Sequence, residues 1–164
     1  MEKNTKMKKV LFISSCGGHL TELLQLSPMF DKYDYYLATE KTKDNLYLKN
    51  KYKNVSYLIY GTKDHPFIYP FKLLMNCFIS LFLYIKIRPK YIVTTGVHTA
   101  GPICCLGKIF KSKIIYIETF ANTEKPTITG KLIYKFADLF IVQHKSLLKH
   151  YPKAIYGGWI FWFL

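Results

Sequence analysis

The chain has 164 residues, half of them apolar, which is enough for one domain with a substantial core. Its formal charge of +14 comes from 24 Lys and Arg against 10 Asp and Glu, and every cation except Arg88 is lysine. Basicity almost free of arginine argues against base-specific reading of nucleic acid, which uses bidentate Arg contacts. It suits attraction to an anionic surface, or a lysine-rich composition with no such role.

In chain order, Met1 to Lys9 is polar and basic, lacks the apolar core of a secretory signal and leads directly into a strand, so a cytoplasmic setting is expected. The run Val10-Leu11-Phe12-Ile13 is followed by the small-residue turn Ser14-Ser15-Cys16-Gly17-Gly18-His19 and by the helix-compatible Leu20-Thr21-Glu22-Leu23-Leu24. Strand, turn and amphipathic helix in that order describe the first βα turn of an open α/β sheet, a place where backbone N–H groups favour phosphate. Further strands are predicted at Tyr33–Thr39, Val55–Tyr60, Tyr91–Thr95, Lys113–Ile117 and Leu139–Val142, with Ala154-Ile155-Tyr156 able to add a last one. Between them, Lys41–Lys53 reads as a charged helical connection and Gly96–Pro102 as a Gly-rich turn leading into a short helix through Leu106. Thr129–Phe136 reads as a helix and Ser146–His150 as a final helical turn. The sustained alternation, without linker or repeat, predicts a Rossmann-like α/β fold: an open, mostly parallel sheet with helices on both faces.

Two apolar stretches stand out. Phe71–Ile87 falls short of the roughly 20 residues that cross a bilayer, and Lys72, Asn76 and Ser80 interrupt it. As a crossover it must lay one face on the sheet, yet apolar residues remain on nearly every other face. The surplus, flanked by Lys63, Lys72, Lys86, Arg88 and Lys90, suits a helix lying at an anionic membrane interface; cover by another protein or by the chain's own loops is the alternative. At the C-terminus, Gly157-Gly158 precedes six apolar residues, Trp159 to Leu164, which are expected to dock on a partner or the bilayer interface unless they fold back on their own domain.

No G-x-G-x-x-G fingerprint occurs. Gly101 to Ile109 fails as a phosphate loop because its glycine spacing is wrong and Ile109 stands where a Ser or Thr would hold magnesium. Cys16, Cys77, Cys104 and Cys105 have neither zinc-ligand spacing nor a disulfide pattern, and no metal site is expected. What remains is the set of loops at the C-terminal ends of the strands, where ligands bind in such sheets. The first delivers Ser14, Gly17, Gly18 and His19, the fourth Thr95, Gly96, His98 and Thr99, and the fifth Glu118, Thr119 and Asn122. His19 and Glu118 are the candidate catalytic groups, as base and orienter or as ligands of sugar hydroxyls, and Ser14, Gly17, Gly18, Gly96, His98 and Thr99 are the candidate ligand-binding residues. A salt bridge to lysine is the structural alternative for Glu118, whereas His65, His144 and His150 have no supporting constellation.

Gly17-Gly18-His19 with Thr21-Glu22, the turn Thr95-Gly96 through Gly101-Pro102, Tyr116-Ile117-Glu118-Thr119 and Gly157-Gly158 together resemble the membrane-recruiting subunit of the two-part UDP-sugar glycosyltransferases. These serve dolichol-linked oligosaccharide synthesis, with bacterial counterparts in capsule and exopolysaccharide assembly. The chain is also similar to the N-terminal half of the lipid-intermediate N-acetylglucosaminyltransferase of peptidoglycan synthesis. The resemblance implies that residues 1–164 form one acceptor-side domain, equivalent to the N-terminal half of a GT-B transferase, with a docking tail over about 157–164. It further implies a small donor-binding partner that holds most of the UDP-sugar, no cofactor, a polyprenyl-diphosphate-linked saccharide as acceptor, attachment to the cytoplasmic face of the membrane, and no activity alone. A non-catalytic scaffold for a self-sufficient transferase and a stand-alone nucleotide-binding oxidoreductase remain open.

Overall fold

Seven strands run parallel in one sheet in the order β3-β2-β1-β4-β5-β6-β7, in a computed structural model that describes residues 7–61, 68–96 and 98–161, with only the backbone of His98. They are β1 (Lys9–Ile13), β2 (Asp34–Glu40), β3 (Val55–Leu58), β4 (Tyr91–Thr94), β5 (Lys113–Ile117), β6 (Leu139–Val142) and β7 (Ile155–Tyr156). The helices are α1 (Gly18–Leu24), α2 (Leu48–Lys51), α3 (Tyr69–Ile87), α4 (Gly101–Ile109) and α5 (Ile128–Tyr134), joined by 3-10 turns. The order of strands reverses between β1 and β4, the point at which an open α/β sheet leaves a crevice at its C-terminal edge.

Most predicted elements are present, and each departure has an identifiable cause. β3 ends at Leu58 instead of Tyr60 because the Asn76 side chain takes both backbone groups of Ile59, accepting from its N–H at 2.8 Å and donating to its carbonyl at 2.9 Å. Lys41–Lys53 does not form one helix: Thr42 and Asn45 make a reciprocal capping box around the short turn Lys43–Asn45, which breaks the segment before α2. Gly101 and Pro102 open α4 instead of extending the turn before it, since proline is pre-set for the first helical turn and costs no hydrogen bond there.

Each face of the sheet carries its own core. Leu11, Ile13, Ile92, Ile103, Tyr116, Phe140 and Tyr151 pack with the inner side of α3 on one face. On the other, Phe12, Leu23, Phe30, Leu37 and Val93 pack with Ile160 from the C-terminal segment. Over Trp159 to Phe161 that segment takes the alternative of folding back on its own domain. Ile160 is buried with its N–H donated to Gln143 at 2.9 Å, and Trp159 and Phe161 meet Phe120 edge to face, because a large apolar residue beside an uncovered sheet face gains by closing on it. Trp159 stays half exposed, while Trp162 to Leu164 lie outside the described residues.

The polarity of α3 is inside out. Asn76 and Ser80 point inward beside Leu83, Tyr84 and Ile87, whereas Phe71, Leu74, Met75, Phe78, Phe82 and Ile85 stand on the exposed side. These outer positions recur at intervals of three and four and form one stripe along the helix. Phe71, Phe78 and Phe82 are 71%, 60% and 68% exposed. The helix has 19 residues and is long and apolar enough to cross a membrane. It does not cross here, because both its ends feed the same sheet and Leu83, Tyr84 and Ile87 belong to the core.

Candidate functional site

The loop after β1 is shaped by Gly17, whose φ of 71° and ψ of −141° place it where only glycine sits without strain, immediately before α1. Beneath it, the buried Glu40 accepts the N–H of Cys16 at 3.3 Å and that of Gly61 at 3.4 Å, tying the turn to the end of β3. The Cys16 thiol also donates to Glu40, and burial together with that carboxylate pushes its pKa up to about 11, which removes it as a nucleophile near neutral pH.

His19 stands on the first turn of α1 at the reversal between β1 and β4. Its Nδ1 lies 3.0 Å from the carbonyl of Thr95, and the Thr95 hydroxyl returns a 2.7 Å bond to the carbonyl of His19. A carbonyl oxygen can only accept, so Nδ1 is the protonated nitrogen, and in the neutral ring the free lone pair is on Nε2. Gly96 follows with φ 110°, and a Cβ there would meet the Tyr116 hydroxyl and approach the His19 ring, so the close passage of this backbone is what brings the β4 loop against the imidazole. His19 is partly exposed, and Gly17 and Gly18 are exposed beside it.

Glu118 is placed differently from its expected role. It is wholly buried and makes no salt bridge among the described residues. Its carboxylate accepts from the Thr119 N–H at 3.1 Å, the Thr127 hydroxyl at 2.9 Å and the Tyr151 hydroxyl at 2.9 Å. Thr127 in turn caps α5 by accepting from the Gly130 N–H. A carboxylate with every bonding direction engaged inside the protein meets no acceptor hydroxyl, so Glu118 organises the β5–α5 loop and is withdrawn as a base. Burial and this carboxylate push the Tyr116 and Tyr151 phenols far above their ordinary value.

Two of the expected ligand contacts also move inward. Ser14, directly after β1, is buried with its hydroxyl donated to the Ser15 carbonyl, and Thr99, in the 3-10 turn His98–Ala100, is buried, so neither presents a side chain at the surface. The side chain of His98, like Lys63 and His65, lies outside the described residues. His144 and His150 bond the carbonyls of Phe120 and Glu124, away from His19.

Glu22, in the sequence no more than a part of the Gly-Gly-His resemblance, has a role in the structure that its order in the chain does not show. It lies three residues beyond His19 on α1, is buried, and accepts from the Thr119 hydroxyl at 2.7 Å, the Phe120 N–H at 3.2 Å and Gln143 Nε2 at 3.1 Å. Gln143 accepts the Ile160 N–H, so this carboxylate joins α1, the β5 loop, β6 and the C-terminal segment. Burial raises the Glu22 pKa above the usual carboxylate range, with the three hydrogen bonds opposing. Its spacing from His19 was the available signal.

Residues 62–160 match the family described as Oligosaccharide biosynthesis protein Alg14 like. The human UDP-N-acetylglucosamine transferase subunit ALG14 is 25% identical over 176 residues, covering 91% of this chain and 81% of that protein. Its Schizosaccharomyces pombe counterpart is 28% identical over 179 residues, covering 96% and 85%. The capsule and exopolysaccharide setting finds no support in these relatives. Among solved structures, MurG of Acinetobacter baumannii superimposes with a TM-score of 0.66 at 16% identity, over 85% of this chain and 42% of that one. A UDP-N-acetylglucosamine 2-epimerase from Rickettsia bellii gives 0.68 at 17%, over 89% and 41%. At such identities the likeness establishes the Rossmann-like fold, and the chain spans about two fifths of the length of these neighbours. With more than half of its residues inside the family match, the chain belongs to the Alg14-like family of oligosaccharide biosynthesis proteins.

Proposed function

We propose that this chain is the acceptor-side, membrane-recruiting subunit of a two-part transferase that moves a sugar from a UDP-sugar to a polyprenyl-diphosphate-linked saccharide at the cytoplasmic face of a membrane. The observation that carries this reading is the outward apolar stripe of α3, on a chain that covers over four fifths of relatives named as transferase subunits. Such a stripe, with Lys86, Arg88 and Lys90 at its end, lies flat in an interface, its rings among the acyl chains and its cations at the headgroups. A separate small subunit binds most of the donor, and no cofactor enters the reaction.

In this reading the turn Gly17-Gly18 and the first N–H groups of α1, which no preceding carbonyl can accept, face the diphosphate. His19 Nε2 takes the proton from the acceptor hydroxyl as that oxygen attacks the anomeric carbon and the UDP leaves. The Thr95 carbonyl holds the ring in the tautomer that can do so. Gly96 keeps the β4 loop close enough to shape the same crevice.

The test is transfer by the subunit reconstituted with its donor-binding partner. His19→Ala should lose at least about a hundredfold in transfer, the usual scale for a general base, with complex formation intact. Full activity in that variant would remove His19 from the mechanism. A partner that transfers equally fast alone on a detergent-soluble acceptor would favour the scaffold reading instead.

A further inference from the structure

A cavity of about 490 Å³ opens at the edge of the sheet opposite His19, where β4 and β5 begin. It is lined by Tyr84, Ile85, Arg88, Lys90, Phe110 and Lys111. Both flanking helices end there, and each exit places a cation in the left-handed conformation: Arg88 at φ 49° after α3 and Lys111 at φ 64° after α4. The exits engage the helix-end carbonyls, the Arg88 N–H donating to Tyr84 and the Ser112 N–H to Gly107, both at 2.7 Å. The floor is rigid. Tyr84 stacks on Phe110 with ring centres 5.2 Å apart, its hydroxyl is 2.7 Å from Ser112 Oγ, and Ser112 donates to the Pro89 carbonyl.

Two properties of this cavity define what fits. Arg88, Lys90 and Lys111 are exposed at its rim, and among the described residues none of them forms an ion pair. Asp138, at the same edge, is engaged by Lys108 and Lys113. The same lining includes an apolar, open part: Ile85 and Phe110 are 55% and 56% exposed, and Ile85 is also the last residue of the α3 stripe. An anion without a hydrocarbon tail would leave that wall in water, and an uncharged amphiphile would leave three cations unmatched.

We infer that this cavity receives the phosphodiester headgroup of an anionic phospholipid whose acyl chain lies along Ile85 and the outer face of α3. The inference rests on the membrane attachment proposed above and gives it a specific lipid chemistry. It also fixes an orientation. α3 runs from the C-terminal edge of the sheet to the N-terminal edge and is about 28 Å long at 1.5 Å per residue. A lipid held at Arg88 and the rings embedded from Phe71 onward pin both ends, so the strands lie along the membrane and the His19 edge keeps a fixed height above it.

The full chain is tested by sedimentation with phosphatidylcholine vesicles, with and without phosphatidylglycerol. Arg88→Gln, Lys90→Gln and Lys111→Gln combined should lower affinity for the anionic vesicles about tenfold or more, since each basic residue at such a surface is worth about fivefold. The control removes the same charge through Lys125→Gln, Lys149→Gln and Lys153→Gln, exposed lysines elsewhere on the chain, and should change binding far less. On the unmodified chain, a short-chain phosphatidylglycerol below its micelle concentration should titrate to saturation and shift the amide signals around Ser112. Inorganic phosphate at the same concentration should not. Equal losses in the two triple variants, or equal shifts with inorganic phosphate, would overturn the lipid site. Binding to zwitterionic vesicles without preference for phosphatidylglycerol overturns it while leaving the membrane reading standing, and no binding to any vesicle removes both.

Discussion

The loops after β1 and β5 leave the same edge of the same sheet, and each delivers a titratable side chain, His19 from one and Glu118 from the other. They differ in how many bonding directions are already taken. His19 has one ring nitrogen held by Thr95 and remains partly exposed, whereas Glu118 is surrounded by Thr119, Thr127 and Tyr151 and sees no solvent. Position in the topology nominates a residue. Uncommitted hydrogen-bonding capacity decides whether it can do chemistry, and the same contrast separates a group whose loss costs activity from one whose loss costs stability.

Glu118→Ala should sharpen the contrast most. It strands the Thr127 and Tyr151 hydroxyls and the Thr119 N–H around a void, and the loss read from urea denaturation should be about 3 kcal/mol or more. Retention of wild-type stability would break the comparison. Gly130→Ala attacks the same cluster from α5, where a new Cβ would collide with Glu118, Thr127 and Tyr151; about 1–3 kcal/mol should be lost.

Glu22→Gln probes the intermediate case through its pH dependence. Folding raises the Glu22 pKa, so the stability gained by protonating it is fully present below the unfolded value and is lost as pH rises through the folded one. The wild type should therefore gain on the variant as pH is lowered through that window. Parallel stability profiles would show that the carboxylate is not held against its burial. The smallest stability effect belongs to His19→Ala, at about 1 kcal/mol or less for one hydrogen bond at a partly exposed site, alongside the largest loss of transfer. A large loss of stability there would make the imidazole structural and collapse the distinction.

Much of this was legible from residue order. The β1 run, the Gly-Gly-His turn and the apolar runs at Lys113–Ile117 and Leu139–Val142 fall where the structure has them, because period, branching and glycine act over a few residues. The end of β3 was not legible, since Asn76, 17 residues away, supplies the bonds that stop the strand. Nor was the burial of Glu118 and Ser14, which depends on α5, Tyr151 and the opposing cores closing over them.

Residue order alone dictates the parallel α/β architecture, the excess of apolar residues in the third helix and the presence of a histidine in a glycine turn, all local properties of the chain. It takes the packed fold to turn Asn76 and Ser80 inward and leave the phenylalanines of α3 outside. The same packing encloses Glu22 and Glu118, folds Ile160 back, and brings three exposed cations at the ends of α3 and α4 to one cavity. Burial and partnership are set by which distant segments meet. That depends on the packing of the whole sheet and its helices, and residue order specifies it only through the folded chain.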